Sequence, residues 1–258
     1  MLWRVKDTSL YLLGSVYAFD QSPPPVTKDT EQAYAIAQRV VFETNFEKEP
    51  DVSHGYYPTG KTLSGEISAP LYETLKALWH ELGKDEAELE RLRPWLVGVK
   101  LFPRLIERSG FLHANGIAKY FFSRAKADER IVRFFETSTS LMQTFAKTPP
   151  LEQERMLAWA LQREAFESDA RTMVHAWHER RAETFRGILN DRMRLSRSTF
   201  SALIRDRNQN WIPAILGYAR DGVPTLAIVE VLHMFGPSGL PALLRELDYV
   251  VTPVDHTG

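Results

Sequence analysis

The segment Leu226-Ala-Ile-Val-Glu-Val-Leu-His233-Met-Phe-Gly236-Pro-Ser-Gly239-Leu-Pro-Ala-Leu-Leu244 runs from an apolar, β-branched stretch through a histidine and a glycine turn into a helix start. A short apolar run bounded by turn signals reads as a buried strand. A histidine at the carboxyl end of such a strand, ahead of a helix, sits where open α/β sheets place their ligand sites. The opening of the chain makes a parallel statement in Trp3-Arg-Val-Lys-Asp-Thr-Ser-Leu-Tyr-Leu-Leu-Gly14-Ser-Val-Tyr17.

Working outward, Gly222-Val-Pro introduces a strand over 225–232, a helix over 198–220 precedes it, and a helix over 237–247 and a last strand over 249–254 follow. Near the other end a strand over 10–16 stops at the Pro23-Pro-Pro25 loop. A helix capped by Thr27 or Asp29, with Ala33, Ile36 and Ala37 inward, leads to a strand from Arg39 to Glu43. Strand, helix, strand is a βαβ unit and predicts a parallel pair with a right-handed crossover. Residues 47–63 read as a loop with at most an edge strand. Ser68 caps a helix reaching Gly83, with Leu71, Leu75, Leu78, Trp79 and Leu82 at helical spacing, and helices over 85–93 and 95–106 follow across an interruption at Pro94. A helix over 117–127 feeds a strand from Arg130 to Glu136, and 138–204 is helical throughout, broken at Pro149-Pro150 and near Ser196. The expected fold class is α/β (α+β), a central mixed, largely parallel sheet flanked by helices. It forms one domain over 1–258 with a helical insert or lid at about 138–197.

With 44% hydrophobic residues in 258, the chain has enough apolar surface to build a core, which excludes disorder. A net charge of −1 removes the bulk electrostatic case for nucleic acid or an anionic membrane as partner. The basic stretches His178-Glu-Arg-Arg181 and Arg192-Met-Arg-Leu-Ser-Arg197 read as solvated helix faces. Absence of cysteine rules out disulfides, thiol nucleophiles and Cys-ligated zinc, leaving His, Asp and Glu as strong ligands. No apolar run reaches the ~18 residues of a membrane span. The chain as given is expected to be cytoplasmic, and periplasmic if a leader has been removed from it.

Three ionisable groups stand at strand ends. Glu43 ends the second strand, Glu136 the Arg130 strand and His233 the Thr225 strand. If they share one edge of the sheet, they offer the donor types that hard or borderline divalent cations accept. In an extended strand Glu230 and His233 point to opposite faces, so Glu230 is not expected at the same site, and a buried Glu230 needs a partner such as Arg207 or Arg220. His175 and His178 lack a third ligand and read as a solvated face. His80 reads as structural, whereas His54 with Tyr56 and Tyr57 is placed to line a pocket mouth. Gly236-Pro-Ser-Gly239 lacks the Gly-Lys-Ser/Thr ending of a phosphate loop.

Trp3-Arg, Tyr11-Leu-Leu-Gly14-Ser, Val41-Phe-Glu43-Thr-Asn, Gly116-Ile-Ala-Lys-Tyr-Phe-Phe, Phe135-Glu136-Thr, Arg207-Asn208-x-x-Trp211 and His233 to Leu244 with Tyr249 occur in this order. Together they resemble the TraB/GumN family, which includes the TIKI-type metalloproteases, over nearly the whole chain. The resemblance implies a metal-dependent hydrolase, peptidase-like, with a divalent ion such as Mn²⁺, Co²⁺ or Zn²⁺. His233, Glu43 and Glu136 are then the metal candidates, and Glu43, Arg207, Asn208 and Tyr17 the catalytic ones, acting on a peptide or small-molecule substrate. The paired Gly-x-x-His motifs are each short of one residue, reading Gly14-Ser-Val-Tyr17 and Glu230-Val-Leu-His233, and Ala118 stands where the family tends to place an acid. A phenol is a poor ligand at neutral pH. Two readings follow: a hydrolase with a partly degenerate metal site, or a catalytically silent member that binds a ligand or protein partner in the ancestral cleft. A purely structural protein predicts no cleft at the sheet's carboxyl edge.

Overall fold

A computed structural model of the chain describes residues 1–20 and 23–254. Its strands are β1 (Leu2–Val5), β2 (Leu10–Ser15), β3 (Arg39–Phe42), β4 (Ile131–Phe134), β5 (Thr225–Glu230) and β6 (Val251–Pro253). They form one sheet in the order β4-β3-β5-β2-β1-β6. β5 is parallel to both its neighbours and β4 is parallel to β3, whereas β1 is antiparallel to β2 and to β6. The sheet is therefore mixed and mostly parallel, as an α/β chain requires. Five of the six residues of β5 are buried, which is why that strand reads as an unbroken apolar run with no alternation.

The expected pairing of the first βαβ unit is corrected. β2 and β3 run in the same direction but do not touch, because β5 lies between them, with Gly14 opposite Val229 and Phe42 opposite Ile228. The most apolar strand takes the centre, where both faces and both edges are covered.

Between β2 and β3 runs α1 (Lys28–Ile36), capped by Thr27, whose hydroxyl accepts from Thr30 N at 3.3 Å. Ala33 and Tyr34 face the core, but Ile36 is 56% exposed, contrary to expectation, because Tyr34 fills the inner face just before the helix ends. Next come α2 (Ala69–Glu81), α3 (Glu86–Glu90) and α4 (Pro94–Arg108). Pro94 begins α4 instead of interrupting a helix, where its missing N–H costs nothing. α5 (Ile117–Ala127) leads to β4. The helical stretch resolves into α6 (Ser138–Ala146), α7 (Pro150–Leu161), α8 (Arg163–His178), α9 (Ala182–Leu195) and α10 (Arg197–Phe200).

The single helix expected over 198–220 is in fact α10, a π-helical segment at Ser201–Asp206, and α11 (Arg207–Arg220). After β5 the chain does not stay extended to Leu232: a 3₁₀ turn occupies Val231–Met234 before α12 (Leu240–Arg245). Gly236 between them has φ +76, a conformation that side chains disfavour. The helices of 138–195 are joined to the sheet by specific contacts. Trp177 Nε1 donates to Gly14 O at 2.6 Å, and Phe185 stacks on Phe235 at 5.5 Å between centroids. Among the described residues no helix is long and apolar enough to cross a membrane.

Candidate functional site

The parallel pairing of β3 and β4 continues one step past the strands. Glu136 N donates to Glu43 O at 3.0 Å, so the acids that end these strands emerge side by side. β5 arrives next to β3, and Glu230 N donates to Glu43 Oε1 at 2.5 Å. The 3₁₀ turn then folds back over this edge. Leu232 N donates to Glu230 Oε2 at 2.9 Å, and the turn swings His233 inward, to 1% exposure.

From the opposite side comes Arg207, at the seam between the π segment and α11. Its side chain is 8% exposed, and every nitrogen has a partner. Nε donates to Glu136 Oε1 at 2.6 Å, Nη2 to Glu43 Oε2, and Nη1 to both Leu203 O at 3.0 Å and His233 Nε2 at 3.1 Å. The Trp211 ring, one turn further along α11, lies 4.7 Å from the guanidinium carbon and 4.6 Å from the His233 ring centroid.

The hydrogen bonds fix the imidazole. A guanidinium only donates, so His233 Nε2 accepts and the ring proton sits on Nδ1, which donates to Asn208 Oδ1 at 2.6 Å. Asn208 Nδ2 donates to His233 O at 3.1 Å and Ser238 O at 2.8 Å, which sets the orientation of the amide. Burial presses the His233 pKa down to about 3, so the ring is neutral.

The three carboxylates of this region behave differently. Burial alone would raise Glu43, yet Arg207 and the Glu230 N–H together hold it below the usual carboxylate range. For Glu136, which has no such backbone donor, burial outweighs Arg207 and the pKa goes up. Glu230 is pushed up to about 8 by burial, against the pull of Arg192.

These groups form the polar floor of a cleft of about 370 Å³ at the carboxyl edge of the sheet, within the usual range for ligand sites. Glu43, Arg207, Glu230 and His233 face it, while Phe102, Leu141, Phe145, Phe200 and Leu203 make its walls mostly apolar. The purely structural reading predicts no cleft at this edge, and the structure has one. Of the expected site residues, Glu43, Glu136, Arg207, Asn208 and His233 come together, Glu136 and Asn208 holding their partners from behind. Tyr17 lines the cleft elsewhere. Its hydroxyl reaches Met173 Sδ at 3.6 Å, and no described contact joins it to Arg207 or His233.

Four expectations are corrected. Glu230 does share a face with His233, because the 3₁₀ turn breaks the alternation on which the opposite-face argument rests. Its stronger charge partner is Arg192, with Arg207 secondary, whereas Arg220 is out at the surface against Tyr249. Arg192 itself is no solvated residue, since it is paired with Asp169 at 2.6 Å and lines the cleft. His54 is exposed and bonded to Ser53 Oγ, away from the cleft lining. The cleft residues that sequence reasoning missed are Arg192, His113 and Lys119. For Arg192 the signal was absent, because its acid lies 23 residues away on a neighbouring helix.

The donors do not fit a divalent ion as they are arranged. The lone pairs of Glu43 Oε2, Glu136 Oε1 and His233 Nε2 all point at Arg207, and Glu43 Oε1 is taken by a backbone N–H. A cation placed at their meeting point would stand against a guanidinium that is always charged. Among the described residues no group of three His, Asp or Glu side chains is arranged to hold a metal.

Neither a curated protein nor a solved structure matches the chain. A model of the TraB/PrgY/gumN family nevertheless matches residues 1–253, and the chain belongs to that family.

Proposed function

We propose that this chain is a family member that binds a ligand in its cleft, with Arg207 serving as a permanent cation where the family resemblance implies a divalent ion. The observation that carries this reading is the convergence of Glu43, Glu136 and His233 on one guanidinium. A hydrolase needs a group free to activate water. Here Glu43 is ionised but doubly occupied, and the one basic nitrogen of His233 accepts from Arg207. What remains is a rigid, nearly neutral floor under an apolar cavity, suited to holding a ligand.

One observation favours the rival reading of a metal-dependent hydrolase acting on a peptide or ester. Asn208 holds His233 with its proton on Nδ1, the arrangement in which a ligating imidazole turns Nε2 toward a metal. That reading requires Arg207 to leave its clamp. The two are separated by elemental analysis of the purified protein and titration with Mn²⁺, Co²⁺ and Zn²⁺. The expected result is no stoichiometric metal in the wild type and no gain in Tyr17→His. Stoichiometric binding that disappears in His233→Ala would replace the ligand-binding reading with the hydrolase.

A further inference from the structure

Among the described residues, Lys119 is the one cation of the cleft lining that has no acid to answer it. Arg207 is neutralised by Glu43 and Glu136, and Arg192 by Asp169. The Lys119 ammonium is half-buried and donates only to His113 Nδ1, at 3.1 Å. Burial alone lowers its pKa, with no carboxylate opposing, and burial and Lys119 together take His113 down to about 4, so that imidazole is neutral too.

The ammonium stands in the first turn of α5, a helix of 11 residues. Gly116 caps that helix, and its close approach to the segment just past β2 is possible only without a side chain, because a Cβ would lie 2.6 Å from Tyr17 O. Ile117 N is used by Val16 O at 3.2 Å. The amides of Ala118 and Lys119 have no acceptor among the described residues, and both residues line the cleft. Unpaired first-turn amides add a partial positive charge.

A second observation comes from across Tyr17. Arg192 uses Nη2 for Asp169 and Met173, while its Nε–H is buried with no acceptor, although the side chain lines the same cleft. Orphaned buried donors are rare in folded proteins and call for a partner. Phe102, Leu141, Phe145 and Phe200 wall the same cavity.

We propose that the cleft binds an amphiphilic monocarboxylate, its head held by Lys119, the first-turn amides of α5 and Arg192, and its body among the aromatic and aliphatic walls. A single unanswered ammonium matches a single negative charge. The inference rests on the ligand-binding reading of the cleft and names the ligand class.

The test is calorimetric titration of the full chain with decanoate and its neutral counterpart decanamide, and with acetyl-Leu-Phe as free acid and as amide. The expected result is that an acid binds at least about tenfold more tightly than its amide, the size of one good charge-assisted contact. Lys119→Gln should bring the two together. Tighter binding in the decanoate pair assigns the head to a free fatty acid, and in the peptide pair to a peptide C-terminus. Because Arg192 is tied to Asp169, the half-buried Lys119 is the position to vary. Equal binding of acid and amide, or unchanged preference in Lys119→Gln, overturns the carboxylate site while leaving the cleft a binding site. No binding by any of the four overturns both.

Discussion

At the scale of single residues, Arg207 decides what the site is. It is a buried charge whose two carboxylate partners are only partly exposed, with side chains 20% and 11% accessible, and in that situation the pair matters most when it is broken. Arg207→Met should cost about 3–5 kcal/mol in urea denaturation at pH 7, because Glu43 and Glu136 are left facing each other without a counter-charge. Adding Glu43→Gln and Glu136→Gln to that variant should recover part of the loss. A cost below about 1 kcal/mol would mean that the clamp does not hold the floor together. His233 gives an independent reading of the same cluster. Its pKa is depressed by burial to about 3, so the folded state refuses a proton that the unfolded chain accepts near 6.5. Its contribution is therefore full above pH 6.5 and is lost as the pH falls through about 3. His113, at about 4, adds a loss of the same sign. By NMR, the His233 ring should show no titration between pH 7 and pH 5; a midpoint near 6.5 would place it in contact with solvent.

Among the elements, the break at α10 shows how a few polar contacts set the direction of a long helix. Glu152 on α7 accepts from Ser196 Oγ at 2.8 Å, from Thr199 N at 2.8 Å and from Thr199 Oγ1 at 2.9 Å, and so caps α10 from outside. Although burial works the other way, these donors hold the Glu152 pKa at about 2. Glu152→Gln should cost about 1–2 kcal/mol at neutral pH, allowing for solvent screening of a partly exposed group. The difference from wild type should be constant above about pH 4.5 and fade as the pH falls toward 2, when the wild-type carboxyl becomes neutral as well. A gap that persists at pH 2 would show that shape, not charge, matters there. The π segment that follows α10 widens the helix ahead of Arg207, and Leu203 O is taken by the Arg207 side chain. π insertions of this kind recur at functional sites. Sequence patterning could not show it, because residues 198–220 keep an ordinary helical spacing through the seam. Strand ends were legible where an acid followed a β-branched run, as at Glu43 and Glu136. The 3₁₀ turn after Glu230 was not, since Val231-Leu-His-Met looks like more strand until its backbone turns.

For the molecule as a whole, the class of fold was readable from apolar runs that alternate with amphipathic helices. Strand order was not, because nothing in β2 or β3 says that β5 will come between them from the far end of the chain. The same long-range closure links the helices of 138–195 to the sheet. The Trp177 indole donates to Gly14 O and packs edge-on against Phe19, and Phe185 stacks on Phe235 just past the 3₁₀ turn. The two sides of the cleft are thus held by the contacts that also dock α8 and α9. If those helices and the sheet are one cooperative unit, chemical denaturation followed by far-UV circular dichroism and by tryptophan fluorescence should give coincident single transitions. Trp177→Phe keeps most of the ring packing but leaves the Gly14 carbonyl with a weaker set of donors. It should cost about 1–3 kcal/mol and lower the whole transition together, by roughly 2–4 °C per kcal/mol in thermal melts. A transition that splits in this variant, with the helices melting first, would show that 138–195 folds as a separate lid. The walls of the cleft would then be free to move independently of its floor.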